Sequence, residues 1–274
     1  MMNILYAVIV LGVLGGIFGI ILAVASKVFA VEKDERLDLI AEALPGANCG
    51  GCGYAGCSAY AQAVIDGKAP LNACAAGGAA MAEKIAEIMG VSAEAGEKMV
   101  ALVRCSGGCN ANLKFETYEG LDDCVAATKV LGGTTQCSYA CRGFGTCVKA
   151  CKFGALSIVD GVAVVNKEKC TGCMACTKVC PRGIIGAKPY SSKVWVPCHS
   201  KDKGADTRKY CTVGCIGCKL CEKACQFDAI HVADNLASID YSKCTACGAC
   251  VRKCPRKIIF FDGELPVVES EETK

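Results

Sequence analysis

The sequence predicts an α+β chain in three parts: a single membrane-spanning helix at the N-terminus, a small helical domain, and two tandem modules of short helices and hairpins. Three observations carry that prediction. Residues 4–26 hold no charge, 25 of the 274 residues are cysteine, and the second half of the chain repeats itself at a constant offset of 74 residues.

The N-terminal run "ILYAVIVLGVLGGIFGIILAVAS" covers roughly 34 Å as a helix, enough to cross a hydrocarbon core of about 30 Å. A cleaved signal peptide is the rival, because Ala23-Val24-Ala25 resembles a small-residue cleavage site. No basic residue precedes the run, however, and it exceeds the usual apolar core of a signal. Residues 1–28 are therefore expected to be a single-pass anchor. Lys27, Lys33 and Arg36 follow the helix, which predicts that the soluble part lies on the cytoplasmic side of the cell membrane. That side also keeps thiols reduced. Gly12 with Gly16, and Gly15 with Gly19, permit close approach of another transmembrane helix. The span contains no acidic or basic residue, so this helix alone offers no ion path.

Composition narrows the chemistry. With 30 basic and 27 acidic residues the charge is nearly balanced, and no basic stretch alternates with aromatics, so no nucleic-acid partner is expected. The chain has two histidines, His199 and His231, both read as structural or surface residues. It has no P-loop, dinucleotide fingerprint or Ser/His/Asp constellation, which leaves no independent catalytic site and points to redox work. Thiols two residues apart rarely pair with each other, and an odd total leaves one over, which argues against a disulfide scaffold. Zinc usually takes two C-x2-C pairs from distant segments, and unbroken runs of four cysteines fit it poorly.

Residues 29–100 form the second part. A charged amphipathic stretch, "EKDERLDLIAEAL", leads into Cys49-x2-Cys52-x4-Cys57-x16-Cys74. Glycines 46, 50, 51, 53 and 56 let the backbone bend around a bulky ligand, and a helical run from Ala59 to Asp66 brings Cys74 back to it. Four thiolates are the natural count for one [4Fe-4S] cluster, with structural zinc as the alternative. Residues 79–100 read as two short helices split at Gly90-Val91-Ser92, Ser92 being an N-cap for the second.

The repeat covers the rest. Cys137, Cys141, Cys147 and Cys151 fall on Cys211, Cys215, Cys221 and Cys225. Cys170, Cys173, Cys176 and Cys180 fall on Cys244, Cys247, Cys250 and Cys254, and Cys124 falls on Cys198. The predicted hairpins "ALSIVDGVAVV" and "AIHVADNLASI" occupy matching places, so two copies of one unit are expected at 101–190 and 191–274.

Each copy resembles a bacterial two-cluster ferredoxin, whose motif C-x2-C-x2-C-x3-C-P occurs twice, the fourth cysteine of each run reaching to the other cluster. That resemblance implies one [4Fe-4S] cluster on Cys215, Cys218, Cys221 and Cys254, a second on Cys244, Cys247, Cys250 and Cys225, and a third on Cys170, Cys173, Cys176 and Cys151. Phe144 stands where Cys218 aligns, so Cys141, Cys147 and Cys180 need another ligand. Cys137 is expected to supply it, with Cys124 or a three-iron cluster as alternatives. Lys152 and Gln226 replace the proline after the fourth cysteine and are expected only to loosen a turn. Cys105, Cys109, Cys124, Cys198 and Cys211 are then surplus. At least five [4Fe-4S] clusters are expected, and a sixth is arithmetically available from this surplus; buried apolar roles, or ligand sets exchanged between neighbours, are the alternatives. Arg142, Lys149 and Lys219 near the cluster loops are read as steering an acidic redox partner or as solvated charges.

An anchor, then "NCGGCGYAGCSAYAQAVIDGKAPLNAC", then ferredoxin modules closely resembles the B subunit of the Rnf complex, an ion-translocating ferredoxin:NAD oxidoreductase. The resemblance covers nearly the whole chain and is similar to the long tandem form. It implies a membrane-bound electron-transfer subunit that accepts electrons from reduced soluble ferredoxin and passes them to other subunits. A related complex that reduces a redox-sensing transcription factor is the alternative.

Overall fold

The computed structural model describes residues 2–28, 34–92, 96–108, 111, 118–130 and 135–266. Helix α1 (Met2–Val28) has no polar face. Residues 9–27 have a mean hydropathy of 2.6, and none of that stretch is buried against the rest of the chain. By length and composition this helix can cross a membrane. Of the flanking charges, Lys33 lies outside the described residues.

Helix α2 (Glu35–Ala43) starts at Asp34, whose carboxylate accepts from the Arg36 N–H at 3.0 Å. It packs on α3 (Cys57–Ile65) and α4 (Gly78–Met89) around a core of Ile40, Leu44, Tyr60, Val64, Met81 and Ile85. Gly90, at φ +68°, ends α4 in the left-handed conformation that glycine adopts without strain. The second helix expected after Ser92 is not formed among the described residues: 96–98 are irregular, and strand β1 (Met99–Val103) follows. Met99 and Val100, expected to lie in that helix, pair instead with Pro189 and Lys188, and Val100 is buried.

The first module continues with α5 (Cys124–Lys129), α6 (Thr146–Lys149), hairpin β2 (Leu156–Val159) and β3 (Val162–Val165), α7 (Ala175–Val179) and β4 (Ile185–Pro189). β4 pairs antiparallel with β1, Met99 opposite Pro189 and Val103 opposite Ile185. The two-residue hairpin turn, Asp160-Gly161, has φ +48° and +74°. Two positive φ angles match the right-handed twist of the strands they join.

The second module has β5 (Val194–Trp195), α8 (Gly204–Tyr210), α9 (Leu220–Lys223), hairpin β6 (Ile230–Ala233) and β7 (Leu236–Ile239), α10 (Ala249–Lys253) and β8 (Phe260–Phe261), which pairs with β5. From α6 to α7 the elements recur at the sequence offset of 74. In both copies a cysteine loop lies against the hairpin turn. A Cβ on Gly143 would fall 2.6 Å from the Gly161 carbonyl oxygen, and one on Gly217 would fall 2.8 Å from Asn235 Cα. Upstream the copies part from the offset. Cys105 follows β1 as Cys198 follows β5, and β1 pairs with β4 as β5 pairs with β8, so by topology Cys198 answers to Cys105, whereas the offset of 74 sets it against Cys124.

The modules meet through charged groups as well as apolar ones. Lys188, on β4, is buried and donates to the Ser192 carbonyl at 2.7 Å, with its ammonium 5.0 Å from the Trp195 ring. Lys167 forms an ion pair with Asp262 beyond β8.

Candidate metal centres

In the helical domain, Asn48 Oδ1 accepts from the Cys57 N–H at 2.7 Å and fixes the start of α3. One turn on, the buried Tyr60 hydroxyl donates to the carbonyls of Pro70 and Leu71 at 2.8 and 3.0 Å. These bonds hold the returning loop, and Cys49, Cys52, Cys57 and Cys74 line a single cavity.

In the modules, a residue in the left-handed region precedes each short helix: Gly145, Met174, Lys219 and Gly248. That sharp turn sets the third cysteine of each run, Cys147, Cys176, Cys221 or Cys250, inside the helix, while the fourth lies just past its end. The Cys176 thiol is pushed up to about 11, first by burial and then by Cys170, Cys173 and Cys151. Burial raises Cys221 to about 12, with Cys215, Cys254 and Cys218 as its neighbours. Cys250 rises to about 11 through burial, then through Cys244, Cys247 and Cys225. In each case the cysteines that raise the thiol are those that the ferredoxin motif interleaves with it.

The remaining cysteines sort differently from the sequence expectation. Cys141, Cys147 and Cys180 share a cavity with Cys124, and Cys137 is not on it. Cys124 opens α5, where Asp123 Oδ1 accepts from the N–H groups of Val125 and Ala126 at 2.8 and 2.9 Å, and Oδ2 accepts from the Thr146 hydroxyl at 2.9 Å. Thr146 also accepts from the Cys124 N–H at 2.8 Å, tying α5 to α6 beside Phe144. Cys137 lines a different cavity, together with Cys105, Cys198 and Cys211. Two of these come from each module. The equivalence of Cys105 and Cys198 recurs in their bonds: Cys105 Sγ accepts from the Cys141 N–H at 3.5 Å, and Cys198 Sγ from the Cys215 N–H at 3.4 Å. The described residues include 24 cysteines, and three cavities are lined by four of them each. Cys109 lies outside the described residues.

The donor sets fit iron–sulfur cages. Burial pushes Cys105 and Cys147 up to about 12 and Cys137 to about 11, so these thiols ionise only beside a compensating cation. Three cavities are each lined by four cysteines, the number a [4Fe-4S] cage takes. Sulfurs spaced around a cavity suit a multi-atom cage better than zinc. Backbone N–H groups of Ala101, Ala155 and Ala229 donate to Cys170, Cys151 and Cys225 Sγ at 3.4 Å, the kind of outer contact that adjusts a cluster's potential. At the inter-module cavity, Arg256 donates to the Cys211 carbonyl at 2.6 Å, and His199, edge-on to Tyr139, has a buried Nδ1 without a hydrogen-bond partner. Of the three basic residues read as steering a partner, Arg142 is buried and donates to the Thr135 hydroxyl, so it does not face outward. Lys149 donates to the Asp122 carbonyl, and Lys219 lies 4.0 Å from Glu222.

These groups define a multi-site iron–sulfur electron carrier of the ferredoxin class. Family models agree: residues 44–76 match the FeS family of Fe-S cluster domains, 163–186 a 4Fe-4S binding domain and 214–259 a 4Fe-4S dicluster domain. The chain is 46% identical over 254 residues to the B subunit of the ion-translocating oxidoreductase complex of Methanosarcina acetivorans, covering 92% of this chain and 96% of the relative. The B subunit of the Na(+)-translocating ferredoxin:NAD(+) oxidoreductase complex of Acetobacterium woodii is 48% identical over 262 residues, 95% of this chain and 79% of the relative. The proton-translocating counterpart of Clostridium ljungdahlii is 47% identical over 259 residues, 93% and 91% of the two chains. The chain belongs to this family of B subunits and is an iron–sulfur electron-transfer subunit of an oxidoreductase complex. None of these names carries the alternative of a complex that reduces a transcription factor.

Proposed function

We propose that this chain is a membrane-tethered relay that takes electrons from reduced soluble ferredoxin and delivers them to partner subunits through six [4Fe-4S] sites. The sets are Cys49/52/57/74, Cys151/170/173/176, Cys124/141/147/180, Cys105/137/198/211, Cys215/218/221/254 and Cys225/244/247/250. Each cluster, when bound, supplies one-electron chemistry. The chain's own residues hold the cages, exclude water and set their order.

One observation carries the reading: the two sulfur-directed backbone bonds at the inter-module cavity. Cys141 belongs to one set and its N–H donates to Cys105 Sγ of the next; Cys215 belongs to a further set and its N–H donates to Cys198 Sγ of that same central group. The central set therefore joins modules that would otherwise be two separate pairs of sites. The anchor α1 fixes the series at the membrane, with the soluble part cytoplasmic.

The test is an anaerobic preparation of the full chain with iron and inorganic sulfide counted. Six sites require about 24 of each per chain, and five require about 20. A colourless, zinc-loaded protein would end the proposal.

A further inference from the structure

Cysteine loops of the helical domain and of the first module lie against each other. Gly51 sits between Cys49 and Cys52. A Cβ built on it would fall 2.8 Å from the Cys173 carbonyl oxygen and 3.0 Å from both Cys173 Cα and Cβ. The backbone of Gly51 is not in the left-handed region, so turn geometry does not ask for glycine here; the approach of Cys173 does. Contact at 2.8 Å to a backbone oxygen cannot be relieved by rotating a side chain.

Two lysines of the first module clamp the same loop. Lys152 Nζ donates to the carbonyls of Ala47 and Asn48 at 2.9 and 3.1 Å, and Lys178 Nζ donates to Gly50 at 3.4 Å. Lys152 immediately follows Cys151, and Lys178 lies between Cys176 and Cys180. The residue that departs from the Cys-Pro pattern is thus a tie across the domain boundary and does more than loosen a turn. Ala75, next to Cys74, packs near Gly172, next to Cys173, with 3.8 Å between Ala75 Cβ and a Cβ built on Gly172.

We infer that Gly51 is a positioning residue for electron exchange between the N-terminal site and the first module, and that Lys152 holds the contact it permits. This rests on the six-site relay proposed above. In the step, one electron leaves the reduced site held by Cys151, Cys170, Cys173 and Cys176, and the oxidised site held by Cys49, Cys52, Cys57 and Cys74 takes it up. No bond forms or breaks and no proton moves. Any side chain at position 51 forces the two cysteine loops apart, and removing the Lys152 ammonium frees them to separate.

The experiment uses the full chain in detergent, as wild type, Gly51→Val, Lys152→Gln and the control Ala59→Val, which adds volume on the exposed side of the same domain. Iron, sulfide and cluster potentials are measured first. The N-terminal site is recognised as the electron paramagnetic resonance signal lost in Cys74→Ala. Full reduction with dithionite is expected to give wild type and Ala59→Val a spin–spin splitting between neighbouring sites that Gly51→Val and Lys152→Gln lose. Freeze-quench after a substoichiometric low-potential one-electron reductant should show slower filling of the N-terminal site in those two variants, with iron content and potentials unchanged. Lys152→Gln adds no volume, so it keeps the test decisive where Gly51→Val fails to fold. Splitting and filling rates equal to wild type in iron-replete Lys152→Gln and Gly51→Val would overturn the inference. Iron-free wild type would overturn the relay itself, and the inference with it.

Discussion

Replacing Cys141 and Cys147 together by alanine removes half of one set and provides a background in which the rival ligands Cys124 and Cys137 can be told apart. Both cysteines line the cavity with Cys124 and Cys180, and two remaining thiols do not hold a four-iron cage. The double variant should therefore fall from about 24 to about 20 iron per chain. If Cys124 is the fourth ligand of that site, adding Cys124→Ala changes nothing further, because the site is already lost; two changes in one unit are not additive. Cys137 belongs to the cavity with Cys105, Cys198 and Cys211, so adding Cys137→Ala attacks a second site and should cost between about one and four more irons. Anaerobic iron and sulfide counts on four proteins suffice. A silent Cys137→Ala together with a further loss for Cys124→Ala would refute the grouping and restore the arrangement expected from sequence proximity.

Three further outcomes follow from single contacts. Tyr60→Phe leaves the carbonyls of Pro70 and Leu71 without the buried hydroxyl that serves both; a cost of roughly 1–3 kcal/mol is expected, read as faster chelator-driven iron loss confined to the N-terminal site. The Lys167–Asp262 pair is partly exposed and should be worth under about 1 kcal/mol to module docking by Asp262→Asn thermal denaturation. The Lys167 hydrogen bond lowers the Asp262 carboxyl and the Asp262 bond raises the lysine. The pair's contribution is thus flat near neutrality, is lost as pH falls through the depressed carboxylate value below 3.8, and is lost at the alkaline end as pH rises through the raised lysine value above 10.5. Cys109→Ala should leave iron at about 24, since the six proposed sets do not use it; a loss of four would require redrawing a set.

How much was legible depended on whether spacing or topology set the contact. Runs such as Cys215-x2-Cys218-x2-Cys221 declare themselves because a turn and one helical turn fix three sulfurs locally, and the hairpins declare themselves through Asp160-Gly161 and its counterpart Asp234-Asn235. The partner of Cys137 was hidden for the opposite reason. A constant offset set Cys124 over Cys198, whereas the ends of β1 and β5 determine which cysteines reach the inter-module cavity, and α5 is a local addition that brings Cys124 to the gap left by Phe144. A short capping signal was present, since Asp123 precedes Cys124 as an N-cap, but nothing in the sequence said what that short helix faced. Spacing alone does not declare the strand at 99–103, because five apolar residues in a row fit a helix or a strand equally well until a partner strand is known.

The two copies also differ where the first one receives the helical domain, and the differences are physical. At the offset of 74, Lys152, Gly172 and Lys178 correspond to Gln226, Ala246 and Arg252. Gly172 and Ala246 share a left-handed backbone, φ +74° and +57°. Only the first is crowded by a neighbouring backbone oxygen, from Met99, which leaves no room for a Cβ; the second carries its methyl at a conformational cost of roughly 1–2 kcal/mol. Arg252 does not reach for another domain. It donates to the Cys247 and Pro266 carbonyls at 3.1 and 3.2 Å and turns back on its own module. The ties to the N-terminal loop are therefore properties of the first copy and not of the repeated unit. The N-terminal cysteine loop meets the first module at the Cys173 loop, and the second module shares with the first the cavity lined by Cys105, Cys137, Cys198 and Cys211.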